Sequence, residues 1–332
     1  MKDNQTDLKI SVAMATYNGA KFIEQQLKSI INQTRSVDEI VISDDGSNDD
    51  TLQIVRKILE STEAAGIDFV ILTDNPRHGY CGNFEHAISH CTGDYIFLAD
   101  QDDIWLPDKV ERILYVYVSN PNLQCVFHKV KNIDKNNNPL SNCDNYIDFK
   151  EGIITQRDYL EQAISGPLCA GMVMCISKHL LDTALPFPLI LGLHDQWLVF
   201  CALCVGDCYY IDEVLALYRY HENNVTAKYH GSLKNRILKV KKRVKEYRDY
   251  DISFIILGEE MKKMLKKFGL ENTQAYDTAE HICRIGAKKK EAFESNRVSG
   301  AFKLTRLFVK DKRYRKCGTN AFLYQLAGIL TR

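Results

Sequence analysis

Three carboxylates within four residues, Asp100, Asp102 and Asp103, stand directly after the apolar run Tyr95-Ile-Phe-Leu-Ala99 and directly before Ile104-Trp105-Leu106-Pro107. The run has strand length and the proline suits the start of a helix, so the acids are predicted at the carboxyl end of a buried strand. Two unit charges about 4 Å apart repel by roughly 4 kcal/mol at an effective dielectric of 20. Such crowding calls for a counter-charge. The ligands are hard oxygens with no His or Cys inside the motif, which suits Mg²⁺ or Mn²⁺ better than Zn²⁺, and these ions usually arrive with the phosphates of a substrate. The competing reading is a solvated acidic loop that caps the next helix. A second acidic pair, Asp44-Asp45, follows Glu39-Ile-Val-Ile-Ser43. Carboxylates there can accept from a base N–H or from ribose hydroxyls, or can form a turn and a helix cap with Gly46 and Ser47. A further acid, Asp195, opens an otherwise apolar helix after Leu191-Gly-Leu-His194, where the helix dipole alone would favour it.

The elements that position these acids repeat one unit. Leu8 to Tyr17 reads as a strand, Asn18-Gly19 as a turn, and Phe22, Ile23, Leu27, Ile30 and Ile31 recur at helical spacing. Glu39 to Ser43 starts a second strand, followed by a helix from Asp49 or Asp50 through Leu59. Phe69 to Leu72 starts a third, with Gly79 and Gly82 in its loop and a helix from about Asn83 to His90; Tyr95 to Ala99 is the fourth. Strands alternating with helices predict a parallel sheet with right-handed crossovers, and ligands bind beyond the carboxyl ends of such strands. Thr16-Tyr17-Asn18, Asp44-Asp45-Gly46 and Asp100-Gln101-Asp102 are therefore expected along one edge. No glycine-rich phosphate loop occurs, neither G-x-x-x-x-G-K nor G-x-G-x-x-G after the first strand, so a nucleotide would be held by side chains and a metal. Beyond Pro107 the pattern changes to mixed-sheet additions. Val126 to Ile133 alternates like a half-buried strand, Cys169 to Ser177 reads as an apolar strand, and Tyr209 to Ile211 and Leu215 to Arg219 as two short ones.

With 332 residues, 26% of them charged, and a formal net charge of zero, the chain has the composition of a globular protein and no overall bias toward nucleic acid. The N-terminus lacks the apolar core of a signal peptide and no run reaches the roughly 18 apolar residues of a membrane span, which predicts a cytoplasmic protein. Eleven scattered cysteines read as reduced core thiols; Cys201, Cys204 and Cys208 lack a nearby fourth zinc ligand. The C-terminal third is basic, with Lys234 to Arg248 and then Lys303, Arg306, Lys310, Lys312, Arg313, Arg315 and Lys316 interleaved with Phe302, Leu307, Phe308 and Tyr314, ahead of the apolar stretch Phe322 to Leu330. Two readings stand for it: a tail at an anionic membrane surface, or helices packed on the rest with a solvated face. The expected division is a catalytic domain over 1–230 and a basic helical region over 231–332.

The series Ser11-Val-Ala-Met-Ala-Thr-Tyr-Asn18, Val41-Ile-Ser-Asp-Asp-Gly-Ser47, Ala99-Asp-Gln-Asp-Asp-Ile-Trp105 and His194-Asp-Gln-Trp197 resembles the family 2 glycosyltransferases, in the right order over residues 8 to about 225. The Ala-Asp-Gln-Asp-Asp-Ile-Trp variant, with the later Tyr218-Arg-Tyr-His-Glu-Asn-Asn224, is most similar to bacterial rhamnosyltransferase-type members that build surface polysaccharides. The resemblance implies a GT-A fold, a Rossmann-like, mostly parallel α/β sheet flanked by helices. It also implies an inverting, metal-dependent hexosyl transfer from a nucleotide-diphosphate sugar to a saccharide acceptor; the membrane reading of the basic tail would put a lipid-linked acceptor at the inner face of the membrane. Residue by residue, it implies that Thr16, Tyr17, Asn18, Asp44, Asp45 and Asn83 line the nucleotide pocket. Asp100 and Asp102 match the D-x-D motif, with Asp102 the direct ligand of Mg²⁺ or Mn²⁺ and Asp103 beside it. Asp195 matches the catalytic base, and Arg219 and His221 fall where a loop closes over the diphosphate. The Q-x-x-R-W motif of processive members is missing, which favours transfer of one sugar. Sugar-nucleotide synthesis, nucleotide-sugar hydrolysis and a non-catalytic scaffold are the alternatives.

Overall fold

A computed structural model of the chain describes residues 8–76, 78–140, 149–155, 159, 170–188, 194–222, 224, 258–271 and 273–310. The chain falls into two compact units: residues 1–155, 169–187 and 194–221 hold the sheet, and residues 156–168, 188–193 and 222–332 hold the C-terminal helices. The basic run 234–248 and residues 311–332, with the apolar stretch Phe322 to Leu330, lie outside the described residues.

The first unit opens with three strand–helix pairs: β1 (Ile10–Thr16) and α1 (Ile23–Ile31), β2 (Glu39–Asp44) and α2 (Thr51–Leu59), β3 (Asp68–Leu72) and α3 (Tyr80–His90). It continues through β4 (Tyr95–Asp100), the two-residue β5 (Ile104–Trp105), α4 (Lys109–Ser119), β6 (Leu123–Asp134), β7 (Gly152–Ile154), β8 (Met174–Ser177), α5 (His194–Val205) and β9 (Asp207–Tyr220). The strands form one sheet in the order β3-β2-β1-β4-β8-β6-β9-β5, with β7 also on β9. β3, β2, β1 and β4 are parallel, and β8 joins β4 antiparallel. This is the mostly parallel α/β sheet that alternating strands and helices predict. β1 and β4 are covered on both faces: Ile10, Val12, Ala13, Met14, Ile96, Phe97, Leu98 and Ala99 are all fully buried. That burial is why both strands read as unbroken apolar runs.

Four elements depart from the sequence reading. α3 starts at Tyr80, three residues before Asn83, because Gly79 at φ 94° turns the chain into the helix and Asp45 Oδ2 accepts its N–H at 2.8 Å. β6 is buried continuously from Leu123 to His128, since it runs between β8 and β9 rather than at a half-solvated position. β8 is shorter than the apolar segment suggested, its first residues forming a 3₁₀ turn at Gly171–Val173. The two short strands around 209–219 are one strand of 14 residues, β9. A register irregularity between His128 and Lys129 absorbs Asp212-Glu213, and Lys129 Nζ donates to Asp212 Oδ1 at 2.7 Å while Arg112 Nε donates to Glu213 Oε1 at 2.9 Å.

In the second unit, α6 (Gln274–Glu294) and α7 (Arg297–Lys310) join through a core of Ile285, Ala292, Phe293, Leu304 and Leu307. Leu307, which the sequence grouped with the basic, aromatic residues of a membrane-facing surface, is thus part of this core.

Candidate active site

The chain order of the sheet reverses at β1, which pairs with β2 on one side and β4 on the other. Thr16 lies opposite Asp44 and Ala15 opposite Asp100, so three carboxyl ends align at the switch point where open α/β sheets bind ligands. Hydrogen bonds knit this edge together. Asp44 is buried and accepts from Thr16 Oγ1 at 2.7 Å, Ser47 N at 2.7 Å, Ser47 Oγ at 2.6 Å and Gly46 N at 3.1 Å. Its carboxylate therefore builds the turn. Asp45 faces the start of α3, accepting from Gly79 N and lying 2.6 Å from His78 Nδ1. Asn83 Nδ2 donates to Thr16 O at 3.1 Å and leaves its buried Oδ1 unpaired. Asn18, at φ 50°, takes its N–H to Ser47 Oγ and receives Asn48 N on Oδ1. Tyr17 is 55% exposed, and its backbone is clamped on both sides by the Gln101 amide, 2.9 Å from N and 3.0 Å from O. Any side chain at Gly19 would collide with that amide.

The acids after β4 differ from one another. Asp100 is partly exposed, and its carboxyl is pushed up to about 7 by burial first, then by the charges of Asp102 and Asp195. Asp103 is fully buried; its Oδ1 accepts from Arg219 N at 2.8 Å, its Oδ2 is unpaired, and its acidity is suppressed by burial and its two acidic neighbours. Asp102 Oδ2 lies 2.7 Å from His221 Nε2, and the His221 ring rests 4.7 Å from that of Phe22. Arg219, which the resemblance puts where a loop closes over the diphosphate, is here packed against the acidic motif. It is 1% exposed, its Nε donates to Asp102 O at 2.7 Å, its Nη2 to Gln25 Oε1 at 2.8 Å and its Nη1 to Asn137 Oδ1, and its guanidinium lies over Phe22. The arginine is a strut behind the acidic motif. A buried cation completes the cluster: Lys109 is fully enclosed, donates from Nζ to Met172 O at 2.8 Å and lies 3.9 Å from the Trp105 ring centre. Burial lowers its pKa to about 7 against the raising charges of Asp103 and Asp100.

Among the described residues no three His, Cys, Asp or Glu side chains form a ready-made metal cluster. The donor set nonetheless suits a hard divalent cation, because three carboxylates crowded within four residues repel one another and a cation would relieve that repulsion. Asp100 and Asp102 would hold it, with His221 at hand and substrate phosphates completing the shell.

Asp195 stands in the first turn of α5, with Oδ1 accepting from Gln196 N at 2.7 Å. Burial raises its carboxyl to about 7, and its charge acts on Asp100, so the two acids lie within electrostatic reach. Its neighbour His194 is 6% exposed, stacks on Phe84 with ring centres 4.6 Å apart, and is held neutral by burial, which lowers its pKa to about 4. A methyl group at Gly171 would come within 2.7 Å of His194 Nε2, so that glycine admits the imidazole. Trp197 fills the core and donates from Nε1 to Ala184 O at 2.9 Å. Sequence reasoning passed over Lys109 and His78, and gave Phe22 and Gln101 a position but no part in the site. Lys109 stands two residues after Pro107, where a lysine is ordinarily solvated, and only its setting between the acidic motif and Met172 gives it a role.

This sheet has the arrangement of the GT-A class. Residues 11–183 match the family described as Glycosyl transferase family 2, and the chain belongs to that family. Among curated relatives, the dTDP-rhamnosyl transferase RfbG of Shigella flexneri is 36% identical over 64% of this chain and 72% of its own length. An uncharacterized glycosyltransferase of a Nostoc strain is 25% identical over 65% of this chain and 66% of its own, just under two thirds of that relative. Of solved structures, S. aureus TarS 1–349 in complex with UDP aligns over 98% of this chain and 90% of its own, with a TM-score of 0.57 and 16% identity. The mannosyltransferase PcManGT from Pyrobaculum calidifontis, in complex with GDP-Man and Mn²⁺, aligns over 97% and 86%, with a TM-score of 0.52 and 20% identity.

Proposed function

We propose that this glycosyltransferase inverts the anomeric centre of a nucleotide-diphosphate sugar and, with a divalent ion, moves a single rhamnose onto a saccharide acceptor during assembly of a surface polysaccharide such as O-antigen or capsule. The observation that carries the mechanism is a second acid, Asp195 in the first turn of α5, within electrostatic reach of the acidic motif. Asp195, with its carboxyl at about 7, lies within reach of the charge on Asp100 at the end of β4. A base with that affinity can take the proton of an attacking hydroxyl near neutral pH. In this reading Tyr17 and Asp45 meet the base and ribose, Thr16, Asn18, Asp44 and Asn83 fix the loops that shape the pocket, and Arg219 and Asp103 hold Asp102 in register. When bound at Asp100 and Asp102, Mg²⁺ or Mn²⁺ supplies charge neutralisation to the departing diphosphate. The donor assignment draws on the rhamnosyl relative, and the Mn²⁺ reading on the solved mannosyltransferase. The acceptor is proposed as lipid-linked, which puts the enzyme at the inner face of the plasma membrane as a peripheral protein. Among the described residues no helix is long and apolar enough to cross a membrane.

The test is a panel of nucleotide sugars followed by calorimetry with Mn²⁺, Mg²⁺ or chelator, and by release of nucleotide with and without saccharide acceptor. Metal-dependent binding of dTDP-rhamnose with acceptor-dependent nucleotide release is expected. Release at an unchanged rate without any acceptor would make the chain a hydrolase.

A further inference from the structure

Ten large apolar side chains are exposed among the described residues, and three of them, Val298, Phe302 and Val309, belong to the 14-residue helix α7. Val298 is 81% exposed and Phe302 68%, the two highest values of the ten. At about 100° per residue these three side chains fall within an arc of about 40° on one face of the helix. The opposite face carries Leu304 and Leu307 into the core shared with α6. α7 also bears Arg297, Lys303, Arg306 and Lys310 and no acidic residue. Lys303 is occupied, donating to Glu291 Oε1 at 2.8 Å and to Ser295 Oγ at 2.9 Å, whereas Arg306 and Lys310 are exposed on the flank of the apolar stripe. A helix with one face fixed to its own unit, a narrow apolar stripe in water and exposed cations beside it has the make-up of an interfacial helix.

We infer that α7 is a membrane-docking helix whose Val298–Phe302–Val309 stripe enters the acyl boundary of an anionic leaflet, with Arg306 and Lys310 on lipid phosphates. Charge complementarity selects this occupant: the charged residues of α7 are all cationic, and the stripe is an arc that a bilayer surface covers without a matching groove. The inference rests on the proposed function only for the location of the acceptor. Docking is a property of α7 itself, outside the unit that holds the acidic motif and Asp195.

Full-length protein is sedimented with vesicles of phosphatidylcholine alone or mixed with phosphatidylglycerol, at low and high salt. Binding to the mixed vesicles only, weakened by salt, is the expected result. The pair Val298→Ser and Phe302→Ser should reduce that binding at low salt. The pair Arg306→Gln and Lys310→Gln should lose roughly 5-fold per charge and most of the salt sensitivity. All four positions lie at the surface, and an unchanged melting curve shows that the variants fold. Nucleotide-sugar binding by the same variants is measured separately and is expected to be intact. If donor binding fails in wild type while docking persists, the transfer reading falls and this one stands. Wild type that ignores anionic vesicles, or variants that sediment with them as wild type does, would overturn the inference. So would concentration-dependent self-association without vesicles that is lost in the Val298 and Phe302 variant, because the stripe would then belong to a second copy of the chain.

Discussion

Asp195 carries one of the most sensitive tests of the site, because its proton is set by burial. A base must be ionised, so kcat/KM should rise with pH up to about 7 and then level off. Asp195→Asn should keep donor binding and lower transfer by the roughly 10² to 10⁴ typical of general base catalysis. The same group makes a stability prediction of defined sign. Its folded pKa lies above the ordinary value of 3.8, so between about 4 and 7 the folded chain holds a proton that the unfolded chain releases. That contribution fades as pH rises and is gone above 7, where an ionised carboxylate must be kept in a buried place. Asp195→Asn should therefore melt higher than wild type at pH 8, by roughly 2–4 °C for each kcal/mol recovered, and match it below pH 4. Equal melting points at pH 8 would mean that the carboxylate is solvated. At the end of β4, Asp102→Ala should abolish the effect of chelator on nucleotide-sugar binding and cost at least about 10²-fold in turnover, the scale of Lewis-acid assistance. The identities of these acids were legible because carboxylates after an apolar run stand out. Their protonation was not, since it depends on neighbours such as Lys109 that are brought close only by folding.

At the level of elements, β9 does what two short strands could not. Its uninterrupted course delivers Arg219 and His221 to the acidic motif, and the guanidinium then spans Asp102, Asn137 and Gln25. A lysine at 219 keeps the charge and the backbone bond to Asp103 but lacks the planar fork that reaches three partners. Arg219→Lys should lower stability by about 1–3 kcal/mol in denaturant unfolding and weaken metal-dependent donor binding more than metal-free binding. An equal loss in both would reduce Arg219 to a general packing role. The sequence hid this strand because Asp212-Glu213 breaks its apolar pattern, whereas the pairing passes the charges through a bulge and turns them to Lys129 and Arg112. The alternation of Lys129, Lys131 and Asn132 likewise made β6 look half solvated, although its first six residues are buried between two strands. The first four strands were readable throughout, since each is an apolar run closed by a turn signal. The later ones depend on neighbours distant in sequence.

Across the whole molecule, the parts of the acidic corner come from widely separated stretches of chain. Donor and metal together should stabilise the fold against heat by about 2.7 kcal/mol at a ligand concentration a hundred times the dissociation constant, and chelator should remove the metal-dependent share. A thermal scan with nucleotide, Mn²⁺ and chelator reads this directly, and no shift under any combination would argue against a preformed site. The link from Arg219 Nε to Asp102 O closes 117 positions of sequence, and that from His221 to Asp102 closes 119. By contrast, Thr16 reaches Asp44 across 28. Closure entropy grows slowly with the length enclosed, by about 1 kcal/mol between these loops, and contacts of high sequence separation are the slower to form. During refolding, the nucleotide-facing edge of β1 and β2 should therefore mature before the corner behind Asp102. A chain still emerging from the ribosome would meet its donor with the reactive end unfinished, and so could not waste an activated sugar before the stretch through His221 had been made and folded back.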